Sequence, residues 1–233
     1  MSKKRLFAAL FGCFLALSIA SAQAFEVPSS DYLQPQFLPP QLLPPPPAEG
    51  SQAWSKQIDA VLKAQQSLSP AELGAIKDEQ TVRLEVMTSV MGPHFTRERL
   101  PKTFAMLTRV LSSAEHVASA DKKFWHTRRP YLTDTRVKLY IDPINESRSY
   151  PSGHTTDTRV LAEVLGMLDP SKLAALRSRA DIIARHRIEA GAHYPVDVEG
   201  GRMLAMLITG ALTENDDFQD DLAAARKEIS LKL

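Results

Sequence analysis

Three short stretches of this sequence crowd together side chains that hold anions or move protons. Residues 149–156, "SYPSGHTT", set Ser152, Gly153 and His154 side by side. A helix is expected from here, with Pro151 in its first turn. Its free backbone N–H groups at the positive end of the helix dipole would make an anion site. Ser152 adds a hydroxyl, Gly153 allows close backbone approach, and His154 can carry a proton. Residues 122–130, "KKFWHTRRP", separate Lys122 from Arg129 by seven positions, which puts both on one face of a continuous helix. Residues 186–202, "HRIEAGAHYPVDVEGGR", contain Arg187, His193 and Asp197. If residues 193–197 wind as one turn, His193 and Asp197 are i, i+4 neighbours. A carboxylate on one ring nitrogen fixes the tautomer and aims the other outward, as a catalytic histidine requires. Taken singly, each stretch has an ordinary explanation: a solvated basic face, a polar helix cap, a capping aspartate beside a satisfied histidine.

The elements that must position these residues read as helices. "SQAWSKQIDAVLKAQQSL" spaces Trp54, Ile58, Val61 and Leu62 along one face. Ser69 and Pro70 look like an N-cap followed by proline at the first helical position, opening a segment that runs to Met91 and breaks at Gly92-Pro93. The stretch 97–129 is periodic, with an apolar stripe of Leu107, Val110, Leu111, Ala114, Val117 and Ala118, and is expected to end at Pro130. Helices are also expected after residue 154, from Asp169-Pro170 to Gly191, from Pro195, and in the polar tail. Only patches such as "VKLYI" (137–141) read as strand. The expected fold is all-α, a single helical domain over 51–233.

Residues 1–24 are expected to stand outside that domain. A basic start, an apolar run and the small-residue end "SAQA" form a secretory signal peptide, cut after Ala24. Its loss lowers 28 basic residues to 25 against 27 acidic ones, so no global charge points to nucleic acid or an anionic membrane. No later run is long and apolar enough to span a bilayer. The lone cysteine, Cys13, lies in the leader, which excludes disulfides and thiolate chemistry from the mature chain. Residues 25–50 form a Pro-rich arm, expected to be extended in the polyproline manner and pinned by Leu42 and Leu43.

Lys-x6-Arg-Pro, Pro-Ser-Gly-His and Arg-x5-His-x3-Asp, in that order, resemble the three-part motif of the phosphatidic acid phosphatase type 2 and vanadium haloperoxidase superfamily. With the leader, "LLPPPPAEGS", "SYPSGHT" and "AGAHYPVDVEGGR", the chain is similar to bacterial class A non-specific acid phosphatases. The resemblance implies a periplasmic or secreted enzyme of broad specificity acting on phosphate monoesters, with phosphotransfer to alcohols as a side activity. It implies that Lys122, Arg129, Arg187, Ser152 and the Gly153 amide clasp the phosphate. It also implies that His193 is the nucleophile, that Asp197 orients it, and that His154 protonates the leaving alcohol and then activates water. It implies no metal and no other cofactor, and a homo-oligomer is expected. With both histidines near an ordinary pKa of about 6.5, the protonation pattern favours acid pH. Two departures stand out: His186 replaces the usual serine before Arg187, and Arg148 replaces a glycine, which would add a cation at the pocket mouth. Three other readings stay open at this point. They are a vanadate-dependent haloperoxidase, a zinc site made by His154, His193 and Asp197, and a non-catalytic periplasmic binding module.

Overall fold

The computed structural model describes residues 31–66, 68–144 and 148–232. The expected leader, with Cys13, and the first residues of the arm lie outside the described residues. Nine α-helices are found among the described residues: α1 Gln52–Gln65, α2 Pro70–Asp78, α3 Thr88–Met91, α4 Pro101–Trp125, α5 Pro130–Thr133, α6 Gly153–Leu168, α7 Leu173–Glu189, α8 Pro195–Thr213 and α9 Asp216–Lys232. The fold is all-α. No described helix is long and apolar enough to cross a membrane.

The core forms where α6 packs against α4, α7 and α8, with α9 closing the far side of α4. Leu107, Val110 and Val117 of α4 meet Val160, Leu161 and Val164 of α6, together with Leu204 and Ile208 of α8 and Phe218 and Leu222 of α9. Each fully buried aliphatic or aromatic side chain contributes on the order of 1.5–3 kcal/mol, so the amphipathic stripes suffice to hold the bundle. Helix ends are closed by side chains. Ser69 accepts from the Glu72 amide while Glu72 accepts from the Ser69 amide, a reciprocal cap on α2. Glu228 of α9 accepts from the Lys102 and Thr103 amides and so caps the first turn of α4.

Several expectations are corrected. The segment 70–91 is not one helix: α2 ends at Asp78, and a 3-10 turn (Leu84–Met87) leads into the short α3. The α4 helix stops at Trp125 rather than Pro130, because His126 adopts a left-handed conformation (φ 54°) and its amide bonds back to the Lys122 carbonyl. Residues 137–141 form no strand. Their side chains instead cover α1 and α7 from an irregular segment, with Val137 in a cluster beside Ile58 and Val61. The arm is not uniformly extended either, since 3-10 turns occupy Pro35–Phe37 and Pro40–Leu42. Leu43 is buried as expected, but Leu42 is exposed. Tyr32, Leu33 and Leu38 supply the other anchors. Tyr32 stacks under the Arg109 guanidinium, 3.8 Å from its ring centre, and its hydroxyl donates to Asp221.

Candidate active site

The site begins where α7 ends. Gly191 has φ +73°, and a Cβ there would lie 2.2 Å from the Lys138 carbonyl oxygen, so only glycine lets the chain turn at this point. After the turn, the amides of Ala192 and His193 both donate to the Arg187 carbonyl. Pro195 then opens α8, and Asp197 in its first turn reaches back over the cap. Its Oδ2 accepts from the Tyr194 amide at 2.9 Å, from Ser149 Oγ at 2.5 Å and from His193 Nδ1 at 3.2 Å. The expected His193–Asp197 pair therefore forms, but across a helix cap rather than along a helical turn. On the other edge of the ring, Arg129 Nη1 donates to His193 Nε2 at 2.9 Å and to the Ala192 carbonyl at 2.9 Å. A guanidinium only donates and a carboxylate only accepts. The imidazole is thus fixed from both sides, with its hydrogen on Nδ1 and its lone pair on Nε2.

The cations arrive from three places. Lys122 lies in the last turn of α4, and Arg129 sits before the first residue of α5, so the single shared helix face expected for them does not exist. Lys122 Nζ donates to the carbonyl oxygens of Ser149 and Arg148, at 2.7 and 3.3 Å. Arg187 comes from the last turn of α7. It is 2% exposed, and its Nε and Nη1 have no hydrogen-bond partner among the described residues. A buried charge with unanswered donors is costly, and an anion in the adjoining cavity would satisfy them.

The stretch 149–156 supplies the third part. Pro151 precedes α6 rather than sitting in its first turn: Ser152 is the N-cap and Gly153 the first residue. The Ser152 hydroxyl accepts from the Thr155 hydroxyl at 3.0 Å and, more weakly, from the Thr155 amide. The Ser152 amide is tied to the Asp197 carbonyl, joining the start of α6 to the start of α8. That approach needs Gly201, where a Cβ would lie 2.7 Å from the Ser152 carbonyl oxygen. Gly153 stands against Lys122, whose Cε is 4.0 Å from where a Cβ would be. His154 faces the cavity, with its Nε2 2.9 Å from the Gln80 carbonyl oxygen.

Two cavities flank His193 and Asp197. One, of about 300 Å³, lies under the arm between Pro45–Pro47, Trp54, Trp125 and Tyr194, with Asp197 at its floor. The other, of about 250 Å³, is lined by Arg129, Arg187, His154 and His193 and rimmed by Gln80, Thr81 and residues 141–144. Both histidines and both arginines face the second. Lys122, Ser152 and Gly153 are not among its lining residues. Arg148 is not among the lining residues either; its backbone pairs with that of Arg128 in an isolated bridge. No three metal-ligating side chains converge among the described residues: His154 turns to the Gln80 carbonyl, and His193 and Asp197 turn to each other.

The electrostatics follow from burial among cations. Burial, then Arg187, bring His154 down to about 3, with the Gln80 carbonyl pulling upward and Arg129 and Lys122 adding smaller downward pushes. Burial and the same cations push His193 well below the ordinary imidazole range. Neither histidine is near 6.5, contrary to the expectation. Burial raises the Asp197 carboxyl, while the bonds from Ser149 and Tyr194 hold it back. Burial and Arg129 bring Arg187 down to about 10, so it stays charged at neutral pH.

Some site residues escape a motif reading. Ser149 is buried and bonds Asp197, yet it lies just before the part of "SYPSGHTT" with a recognisable role. Gln80 and Thr81 come from the break after α2, where no periodicity signals a function. His186 is buried with Nδ1 2.5 Å from Glu79, so the departure at this position has a partner of its own.

Residues 103–217 match the family model described as the PAP2 superfamily. The chain is 30% identical over 151 residues to a non-specific acid phosphatase of Salmonella typhi, covering 63% of this chain and 60% of that one. It is 32% identical over 141 residues to an acid phosphatase of Zymomonas mobilis subsp. mobilis, covering 59% and 53%. A non-specific acid phosphatase of Providencia stuartii is 28% identical over 147 residues, covering 61% and 59%. The matched region thus spans little more than half the length of each relative.

Proposed function

We propose that this chain, whose residues 103–217 are a PAP2 superfamily domain, is an acid phosphatase that hydrolyses phosphate monoesters through a phosphohistidine, without a metal. The observation that carries the reading is Arg187: a charged, buried guanidinium with two unanswered donors, beside Arg129 and two histidines, around one cavity. The relatives' names support the same class of reaction. The basic, apolar and small-residue pattern of residues 1–24 supports an exported enzyme, and a homo-oligomer remains part of the proposal.

Phosphoryl transfer needs charge neutralisation, an in-line nucleophile and a proton for the leaving oxygen. Arg129 and Arg187 take the phosphate oxygens, with Lys122, the Ser152 hydroxyl and the Gly153 amide completing the positive floor. As Arg129 turns to the phosphate, it releases His193 Nε2. That lone pair attacks phosphorus and the bond to the alcohol oxygen breaks. The alcohol oxygen takes a proton from His154. Asp197 stabilises the cationic imidazole through Nδ1–H. In the second half, His154 removes a proton from water, the water oxygen attacks phosphorus, and the P–N bond breaks. The products are one alcohol and one inorganic phosphate; an alcohol in place of water gives phosphotransfer.

The substrate is part of the acid. The cations that depress His154 are the ones a phosphate neutralises, so substrate binding raises the proton affinity of His154 when an acid is needed. His193 stays neutral and nucleophilic far into the acid range. The expected optimum of kcat/KM lies below pH 7. The test is hydrolysis of p-nitrophenyl phosphate across pH, with and without chelator, by wild type and His193→Ala. Chelator-insensitive turnover that is lost in the variant supports the proposal. No turnover by wild type, or a maximum on the alkaline side, overturns it.

A further inference from the structure

We propose that the main-chain carbonyl of Gln80 is the orienting acceptor for His154, and that Gln80 is a positioning residue whose side-chain clasp to Asp142 holds that carbonyl in place. The inference rests on the reading of His154 as proton carrier and goes beyond it.

The carbonyl is available because of where α2 stops. The last carbonyls of a helix have no intrahelical donor, and just past the end of α2 the Gln80 oxygen takes the His154 Nε2–H at 2.9 Å, across 74 residues of sequence. A carbonyl only accepts, so Nε2 must carry hydrogen. Nδ1 is then the nitrogen left for the substrate. Neutral, it is a base; protonated, its N–H is the acid. His193 has the mirror arrangement, with Nδ1 held by Asp197 and Nε2 left for phosphorus. The two acceptors differ for a reason. A carboxylate stabilises the permanent positive charge of a phosphorylated imidazole, whereas a neutral carbonyl orients a ring that must gain and lose a proton in each turnover.

The Gln80 carbonyl is fixed from two sides. The Gln80 side-chain amide donates to Asp142 Oδ2 at 2.9 Å and accepts from the Asp142 amide at 3.3 Å. With both ends engaged, it cannot rotate without losing both. The preceding residue, Glu79, is buried and bonded to Arg179 at 2.6 Å and to His186 at 2.5 Å, both on α7. The helix that delivers Arg187 therefore also anchors the acceptor of His154. This gives His186 a purpose in the site: together with Arg179 it ties α2 to α7 at the residue next to Gln80.

A positioning role for the acid has a signature that general loosening lacks. An alkyl phosphate needs its leaving oxygen protonated; p-nitrophenyl phosphate does not. General acid catalysis contributes about 10²–10⁴-fold, and misplacing the acid forfeits part of it. The experiment measures kcat/KM, which reports the steps up to phosphoryl transfer to His193, for β-glycerophosphate and p-nitrophenyl phosphate. Gln80→Ala is expected to lower the first by about tenfold or more and the second by less than about twofold. Asp142→Ala breaks the clasp from the other side and is expected to do the same, which keeps the test open if one variant folds poorly. Gln80→Glu combined with Asp142→Asn exchanges donor and acceptor and is expected to restore alkyl phosphate turnover. Equal losses on both substrates, no loss on either, or no restoration by the exchange would overturn the inference while leaving the phosphatase reading intact. His154→Ala provides the separation: a selective loss on the alkyl ester supports the parent reading, and none overturns that reading together with this inference.

Discussion

Replacing Arg187 with methionine should make the protein more stable and unable to hold phosphate. The side chain is 2% exposed, and two of its nitrogens lack partners among the described residues. An unsatisfied buried polar group costs about 1–3 kcal/mol, so two cost roughly 2–6 kcal/mol. A second route gives a similar figure. The guanidinium is brought down to about 10 from an ordinary value above 12, and at ~1.4 kcal/mol per decade this is about 3 kcal/mol against the charged form. Methionine removes that penalty but fills the space less well, which returns about 1 kcal/mol. A net gain of about 2 kcal/mol raises Tm by about 4–8 °C in a chain of this size. Inorganic phosphate at 100 times its Kd should add ~2.7 kcal/mol to wild type and almost nothing to Arg187→Met. Thermal melts of both proteins, with and without phosphate, read all four quantities. A variant that melts below wild type and is still stabilised by phosphate would show that Arg187 is an ordinary structural cation, and the argument from unanswered donors would fail.

Asp197→Asn keeps the shape but not three acceptances on one oxygen; kcat is expected to fall about 10²–10⁴-fold as His193 loses its fixed tautomer, and stopped assays at saturating substrate measure it. Burial raises the Asp121 carboxyl to about 7, and neither oxygen has a partner among the described residues. The folded state therefore binds a proton that the unfolded chain releases above ~3.9, and this contribution to stability is lost as pH rises from about 4 to 7. Asp121→Asn should match wild type near pH 4 and exceed it by about 2–4 kcal/mol near pH 8; denaturant titrations at the two pH values would contradict this if the difference did not grow with pH. Gly201→Ala places a methyl 2.7 Å from the Ser152 carbonyl oxygen. It should cost about 1–3 kcal/mol and lower kcat, since α8 carries Asp197 and α6 carries His154; a fully active, equally stable variant would argue against close approach there.

The helices were legible where apolar spacing is carried by side chains that meet a neighbour. The α4 stripe is the clearest case, with Leu107, Val110, Ala114, Val117 and Ala118 all buried. The structure departs from the apolar pattern where backbone geometry decides. His126 ends α4 by taking a left-handed conformation, and nothing in its neighbours' hydropathy signals that. The patch 137–141 has strand-forming residues but no second strand to pair with among the described residues, so its β-branched side chains pack on helices instead.

The site was legible for a different reason. Its motifs pair residues close in sequence but draw their force from order along the chain. Lys122, Arg129, His154 and Arg187 come from separate elements, and α6, which carries His154, packs on both α4 and α7. Two of the motifs have a local geometry other than the helical one expected: Lys122 and Arg129 share no helix, and Asp197 meets His193 over a cap. The chemistry survives these corrections because charge and hydrogen-bonding capacity belong to residue types, whereas the path by which they meet belongs to the backbone. Gln80 shows the converse. What it offers His154 is a carbonyl, which every residue has, so its identity says little; only its place just past the end of α2 makes it a partner. A group that acts through its main chain leaves almost no trace in a sequence, and its role becomes visible only once the helix that strands it has been placed.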